Sequence, residues 1–214
     1  MARIFLGLFA ALALAACSVD GSKDLADAAV PLGQFKLGHN VVIADKAVKG
    51  PLSRGVTKDE LSTALQSAIA TRFDRYDGEK LYHFGVSVEG YVLAAPGIPL
   101  IYSPKSLMII NVTVWDDTAG VKLNEKPQQM TIFESLSGET VLSSGLTQSK
   151  EEQLKNLTVN ASKQIELFLV RQQKNDGWFG ANSNAVPGST DGSAAPELDT
   201  IEDAAADVAI APET

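Results

Sequence analysis

Two short runs, Thr57-Lys58-Asp59-Glu60 and Ser149-Lys150-Glu151-Glu152, carry the same device. In each, a hydroxyl residue stands three positions ahead of a glutamate, the spacing at which the two side chains satisfy orphan amides at a helix start. Behind the first run, Leu61, Leu65, Ala68, Ile69, Arg72, Phe73 and Tyr76 recur at helical spacing until Asp77 and Gly78 end the pattern. Behind the second, Leu154, Leu157, Ala161, Ile165 and Phe168 mark one stripe, predicting a helix of about five turns. Two one-sided helices must bury their apolar stripes against something.

The partner is written between and before them. In "LYHFGVSVEGYVL", Phe84, Val86, Val88 and Val92 alternate with His83, Ser87, Glu89 and Tyr91. "SLMIINVTVWDD" sets Met108, Ile110, Val112 and Val114 against Asn111, Thr113 and Trp115 in the same way. Period two is the mark of a half-buried strand. Further strands are predicted at residues 35–43, 129–135 and 140–146, with a loop over 46–54. The short links between them favour an antiparallel meander. The fold class that follows is α+β: an antiparallel sheet of four to five strands packed against two amphipathic helices, a two-layer sandwich over residues 34–173.

Ahead of this body, Arg3 is followed by an apolar run from Ile4 to Ala16, closing on Leu14-Ala15-Ala16-Cys17. A charged head, an apolar core and small residues before a cleavage point make a secretory signal peptide over 1–16, too short to cross a membrane as a helix. Cys17 is the one cysteine of the chain. The Leu-Ala-Ala-Cys ending resembles the lipobox of bacterial lipoproteins. That resemblance implies a diacylglyceryl group on Cys17, cleavage just before it, and attachment to the membrane through covalent lipid. The other reading is a secreted protein with a free or buried thiol. One acyl chain holds only marginally, so two or three would be needed for slow release. Ser18, where enteric lipoproteins kept in the inner membrane carry aspartate, favours the inner leaflet of the outer membrane, facing the periplasm; the inner membrane is the alternative.

Residues 17–33 are small and polar and read as a lipidated tether. Residues 174–214 are rich in glycine, serine, asparagine and proline and read as a disordered acidic tail. From residue 175 onward there are eight acids and no base, whereas residues 17–174 hold 17 bases and 18 acids. Neither part offers the basic footprint of a nucleic-acid binder.

Signals for chemistry are sparse. His39 and His83 are the only histidines, each placed near an edge or on a polar strand face. No Gly-x-Ser-x-Gly elbow supports a hydrolase, and no His or Cys pair has metal-ligand spacing. Asp116 and Asp117 could hold calcium but read better as turn residues. No catalytic residue, cofactor or metal is expected. Two surfaces are candidate binding sites for an envelope protein partner, the alternatives being a loop that folds back to cap the core and ordinary part-exposed sheet aromatics. One is the apolar, proline-broken stretch 92–107 with Ile98, Leu100, Ile101 and Tyr102. The other is the sheet face that alternation assigns to Tyr91, Trp115 and Phe133.

The segments "LYHFGVSVEGYVLA", "NVTVWDD" and "KLNEKP", within residues 35–172, resemble envelope lipoproteins of alphaproteobacteria that have no assigned activity. The resemblance implies a lipid-anchored, non-catalytic binding or assembly accessory. A binder of lipid or cell-wall ligands is the alternative, and a hydrolase is a more distant one.

Overall fold

The computed structural model describes residues 25–95, 106–134 and 148–180. Strand β1 (Phe35–Ile43) and the short β2 (Val48–Lys49) precede helix α1 (Lys58–Phe73). Strands β3 (Lys80–Val92), β4 (Leu107–Asp116), β5 (Val121–Lys122) and β6 (Gln128–Phe133) follow, and α2 (Lys150–Asp176) closes the series. The predicted strand at 140–146 lies outside the described residues.

Both helices begin as their sequences dictate. Thr57 Oγ1 accepts from the Glu60 amide at 3.1 Å while the Thr57 amide donates to Glu60 Oε2 at 2.7 Å. Ser149 and Glu152 repeat this at 3.1 and 2.8 Å. Thr57→Ala and Ser149→Ala should each cost about 1 kcal/mol in urea unfolding. The Thr57 amide, followed by Lys150, holds the Glu60 carboxyl down to about 2 from its ordinary 4.5. A carboxyl lowered on folding stabilises above its unfolded value and loses that contribution as pH falls through the folded one. The first cap is therefore expected to weaken between these two values, which a Glu60 carboxyl titration by NMR would follow. Gly177 in the left-handed conformation (φ 64°) ends α2, its amide bonded to the Gln173 carbonyl. At 27 residues, α2 runs about seven and a half turns, longer than its apolar stripe alone suggests.

The sheet is mixed rather than antiparallel. β1 and β2 both pair with β3 in parallel, whereas β3–β4, β4–β5 and β4–β6 are antiparallel. The reason is the connection: between β1 and β3 the chain crosses over through α1 and comes back in the same direction, which a two-residue hairpin cannot do. β2 extends the β1 edge of β3, and β5 and β6 share the far edge of β4. Along β1 the exposed edge is occupied at one point by a side chain: Gln66 donates to the Asn40 carbonyl at 2.7 Å and Asn40 Nδ2 to the Gln66 carbonyl at 2.9 Å.

The helices lie side by side in the same direction. Lys150 reaches Glu60 near their starts at 3.1 Å, and Arg72 reaches Ser162 and Glu166 further along at 3.1 and 2.9 Å. They cover one face of the sheet. Leu61, Leu65, Ile69 and Phe73 from α1 and Leu157, Ala161, Ile165 and Leu169 from α2 meet Phe84, Val86, Val112, Val114 and Ile132, all buried. At the end of the sheet where β1 begins, Phe35 stacks on Tyr82 at 5.5 Å and meets Phe179 edge-on at 5.1 Å.

Phe179 corrects the expected start of the tail at residue 174. Asn175 and Asp176 belong to α2, and Phe179 is fully buried against the aromatic cluster. At the other end Leu32 is buried as well, inside the expected tether. Gly33 (φ 61°) sits so close to the Phe179–Gly180 backbone that a Cβ would collide with both carbonyl oxygens, which ties the two ends of the described body together.

Candidate functional site

The helices leave the second face of the sheet open. In register across three strands, Val41 pairs with Gly85 and Gly85 with Thr113, while Ile43 pairs with Ser87 and Ser87 with Asn111. Gly85 has no side chain, and a Cβ there would meet nothing within 4 Å. A cleft of about 320 Å³ opens above it, flanked by Val41, Ile43, Asn111, Thr113 and Trp115. Val41 and Ile43 are 54% and 52% exposed, and Trp115 is 38% exposed. Three exposed apolar side chains around one concavity, beside small polar ones, form a surface suited to binding.

One wall is held by an asparagine. Asn124 Oδ1 accepts from the Val114 amide at 2.9 Å, and Nδ2 donates to the Val112 carbonyl at 2.9 Å and to that of Lys126 at 3.0 Å. Its amide stands in for a strand residue where β5 has ended and β6 has not begun, and so places Lys122 and Pro127 along the cleft. Lys122 Nζ lies 5.3 Å from the centre of the Trp115 ring, within cation–π range.

Next to the cleft, His83 faces Trp115 across the β3–β4 pair. Its Nδ1 accepts from the His39 amide at 2.7 Å and its Nε2 lies 2.8 Å from Asp117 Oδ1. An Nδ1 that accepts from a backbone N–H puts the proton of the neutral ring on Nε2, facing the carboxylate. Neither nitrogen is then placed to take a proton from a nucleophile. Further along β3 the Ser87 hydroxyl donates to Glu89 at 2.5 Å. Asp116 Oδ1 accepts from the Ala119 amide at 2.9 Å, a turn contact. Among the described residues no group of three His, Cys, Asp or Glu could hold a metal ion, and no helix is long and apolar enough to cross a membrane.

Of the residues predicted to bind, Trp115 and Phe133 (59% exposed) do lie on the open face. They stand at opposite ends of it: Phe133 pairs with Leu107, eight residues along β4 from Trp115, or roughly 27 Å at the rise of a strand. Tyr91 does not belong there. A β-bulge between Val88 and Gly90 shifts the register and turns Tyr91 into the core at 5% exposure, where its hydroxyl donates to the Val56 carbonyl at 3.1 Å. Cys17, Ile98, Leu100, Ile101 and Tyr102 lie outside the described residues. The ends of the 92–107 stretch are described and buried: Leu93, Ala94 and Ser106 are fully enclosed, with Ser106 Oγ accepting from the Ala94 amide at 3.1 Å. Val41 and Ile43 were not singled out from the sequence. Their signal was the alternation in "NVVI", where Val42 is the residue that packs on the core.

No family model matches the sequence, and no curated protein is significantly similar to it. Solved structures similar to this chain include three bacterial ones. A provisionally assigned lipoprotein of Caulobacter crescentus shares 11% identity, covering 60% of this chain and 89% of its own, with a TM-score of 0.33. A Xanthomonas campestris protein of the DUF330 family shares 11% over 70% of this chain and 94% of its own, with a TM-score of 0.36. The PelC dodecamer of Paraburkholderia phytofirmans shares 11% over 60% and 92%, with a TM-score of 0.30.

Proposed function

We propose that the chain is a lipid-anchored protein of the bacterial envelope, held through Cys17 at the periplasmic side of the outer membrane, and that it binds a protein partner through the open sheet face without catalysing a reaction. The observation that carries this reading is the exposure of Val41, Ile43 and Trp115 around one cleft while both helices occupy the opposite face. The lipobox-like Leu14-Ala15-Ala16-Cys17 supports the anchor. Arg75 Nη1 donates to the Leu25 and Asp27 carbonyls at 3.5 and 3.3 Å, so the tether departs from the helical layer. Leu25 and Asp27 thus lie on the helical side of the body, opposite the open face. The engaged nitrogens of His83 support a role without acid–base chemistry.

Photoreactive residues introduced in cells at Ile43, Trp115 and, as a control on α1, Asp59 test the surface. The first two should capture the same protein, Asp59 should not, and Val41→Asp should abolish capture. Equal capture from all three positions, or silence from the open face, would overturn the assignment. Trp115→Ala should also abolish it while shifting stability by less than about 1 kcal/mol. A bare thiol in the mass of the mature N-terminal peptide would remove the anchor from the account.

A further inference from the structure

The outer side of the helical layer carries a second cleft. It runs between α1 and α2, encloses about 670 Å³ and is walled by Ala64, Ser67 and Ala68 on one helix and Leu154, Thr158 and Val159 on the other. Three of the five hydroxyls around it are already spent on their own helices. Thr71 donates to the Ser67 carbonyl at 2.9 Å, Thr158 to Lys155 at 3.0 Å and Ser162 to Val159 at 2.8 Å. The cleft therefore offers mostly carbon. Charge gathers at one mouth, where Lys150 lies 3.1 Å from Glu60 and 3.7 Å from Glu151.

At the other end stands Leu25, which lines the cleft and is the first described residue. Arg75 holds its carbonyl, and Glu166 holds Arg75 at 2.8 Å. The chain thus enters the body at the end of an apolar trough. Cys17 is eight residues upstream of Leu25, a length that spans at most about 28 Å. The trough from Glu60 to Thr71 is about 17 Å long at the rise of a helix. A lipid on Cys17 can therefore reach the cleft and lie along it.

We propose that the cleft between α1 and α2 shelters an acyl chain carried by Cys17 of the same molecule whenever that chain is out of a bilayer. The proposal rests on the lipid-anchor reading above. A fatty chain in water gains with each methylene it buries, and this apolar surface is lined by Leu25, next to the tether. Its own acyl chain, held at a high effective concentration by a short link, outcompetes a free one.

The test feeds cells palmitate bearing a diazirine at its terminal carbon, purifies the lipidated protein, strips it of phospholipid and detergent, irradiates it and maps adducts by peptide mass. Adducts joining the N-terminal lipopeptide to residues 60–71 or 154–162 of the same chain are expected. Ala64→Trp, which fills the trough, should lower their yield about tenfold, equivalent to ~1.4 kcal/mol. A labelled lipopeptide whose adducts fall only on another copy of the protein or elsewhere in the chain would overturn the proposal while leaving the anchor standing. An N-terminal peptide without label would instead remove the anchor itself, and the proposal with it. Free palmitate added to the Cys17→Ser protein gives an independent reading. It should shift the NMR signals of Ala64 and Val159, and unmoved signals would equally overturn the assignment.

Discussion

Glu166→Ala is expected to destabilise the protein by about 3–5 kcal/mol, because it strips the carboxylate from a buried guanidinium. Arg72 and Glu166 both have side chains that are 0% exposed, and Arg72 Nη1 lies 2.9 Å from Glu166 Oε2. The same carboxylate accepts from Arg75 at 2.8 Å, from the Tyr76 hydroxyl at 2.8 Å and from Lys163 at 3.2 Å. Arg72→Ala should cost less than Glu166→Ala, since three donors still face the carboxylate. A joint Arg72→Met, Glu166→Leu change should cost less than Glu166→Ala alone: no charge is left enclosed, and Arg75 and Lys163, at 19% and 16% exposure, can turn to water. Urea unfolding of the four proteins measures both differences. A loss below about 1 kcal/mol for Glu166→Ala would show that the network is not holding α1 to α2.

The same carboxyl sets a pH dependence. Burial pushes Glu166 upward, but the hydrogen bonds from Arg75 and Tyr76, the Arg72 charge and Lys163 outweigh it and hold the group below its ordinary 4.5. Its contribution is therefore complete above that value and declines as pH falls through the lowered one. In Glu166→Gln the acid limb of the stability profile should flatten. Because Arg75 also holds Leu25 and Asp27, the network that joins the helices fixes where the tether leaves them.

What could be read from the sequence was local. The capping boxes, the apolar stripes of both helices and the alternation in β3 and β4 are each decided within a few residues, and each appears in the structure. The parallel pairing of β1 with β3 was not readable in this way, because it depends on where a crossover returns the chain. Tyr91 shows a different limit. Strict alternation put it on the open face, yet Gly90 interrupts the run, and an isolated glycine in a strand is a common sign of a bulge. That one extra residue moved Tyr91 into the core and left Val92 half-buried on the other side. For the open face, the sequence marked Trp115 and Phe133 as aromatics but could not tell that they stand at opposite ends. The cleft is formed instead by Val41 and Ile43, ordinary strand residues that matter only because Gly85 beside them has no side chain.

Phe179→Ala is expected to cost about 3–5 kcal/mol, as for other fully buried phenylalanines. Composition averaged over residues 174–214 concealed this residue, since one buried ring weighs little among so many glycines and serines. Its placement is specified by its neighbours. Gly177 turns the chain out of α2, Gln173 Oε1 accepts from the Phe179 amide at 2.8 Å, and the Phe179 carbonyl accepts from the Gln34 amide at 2.9 Å. The ring then lies 5.1 Å from Phe35 and 4.9 Å from Tyr82, edge-on to both. Phe179→Leu, which keeps most of the buried carbon and loses the edge-on geometry, should cost clearly less than Phe179→Ala. A chain ended after Asp176 should lose at least as much as Phe179→Ala, because the bonds to Gln34 and Gln173 go with the ring. An unfolding midpoint unmoved by either change would place the boundary of the folded body back at the end of α2.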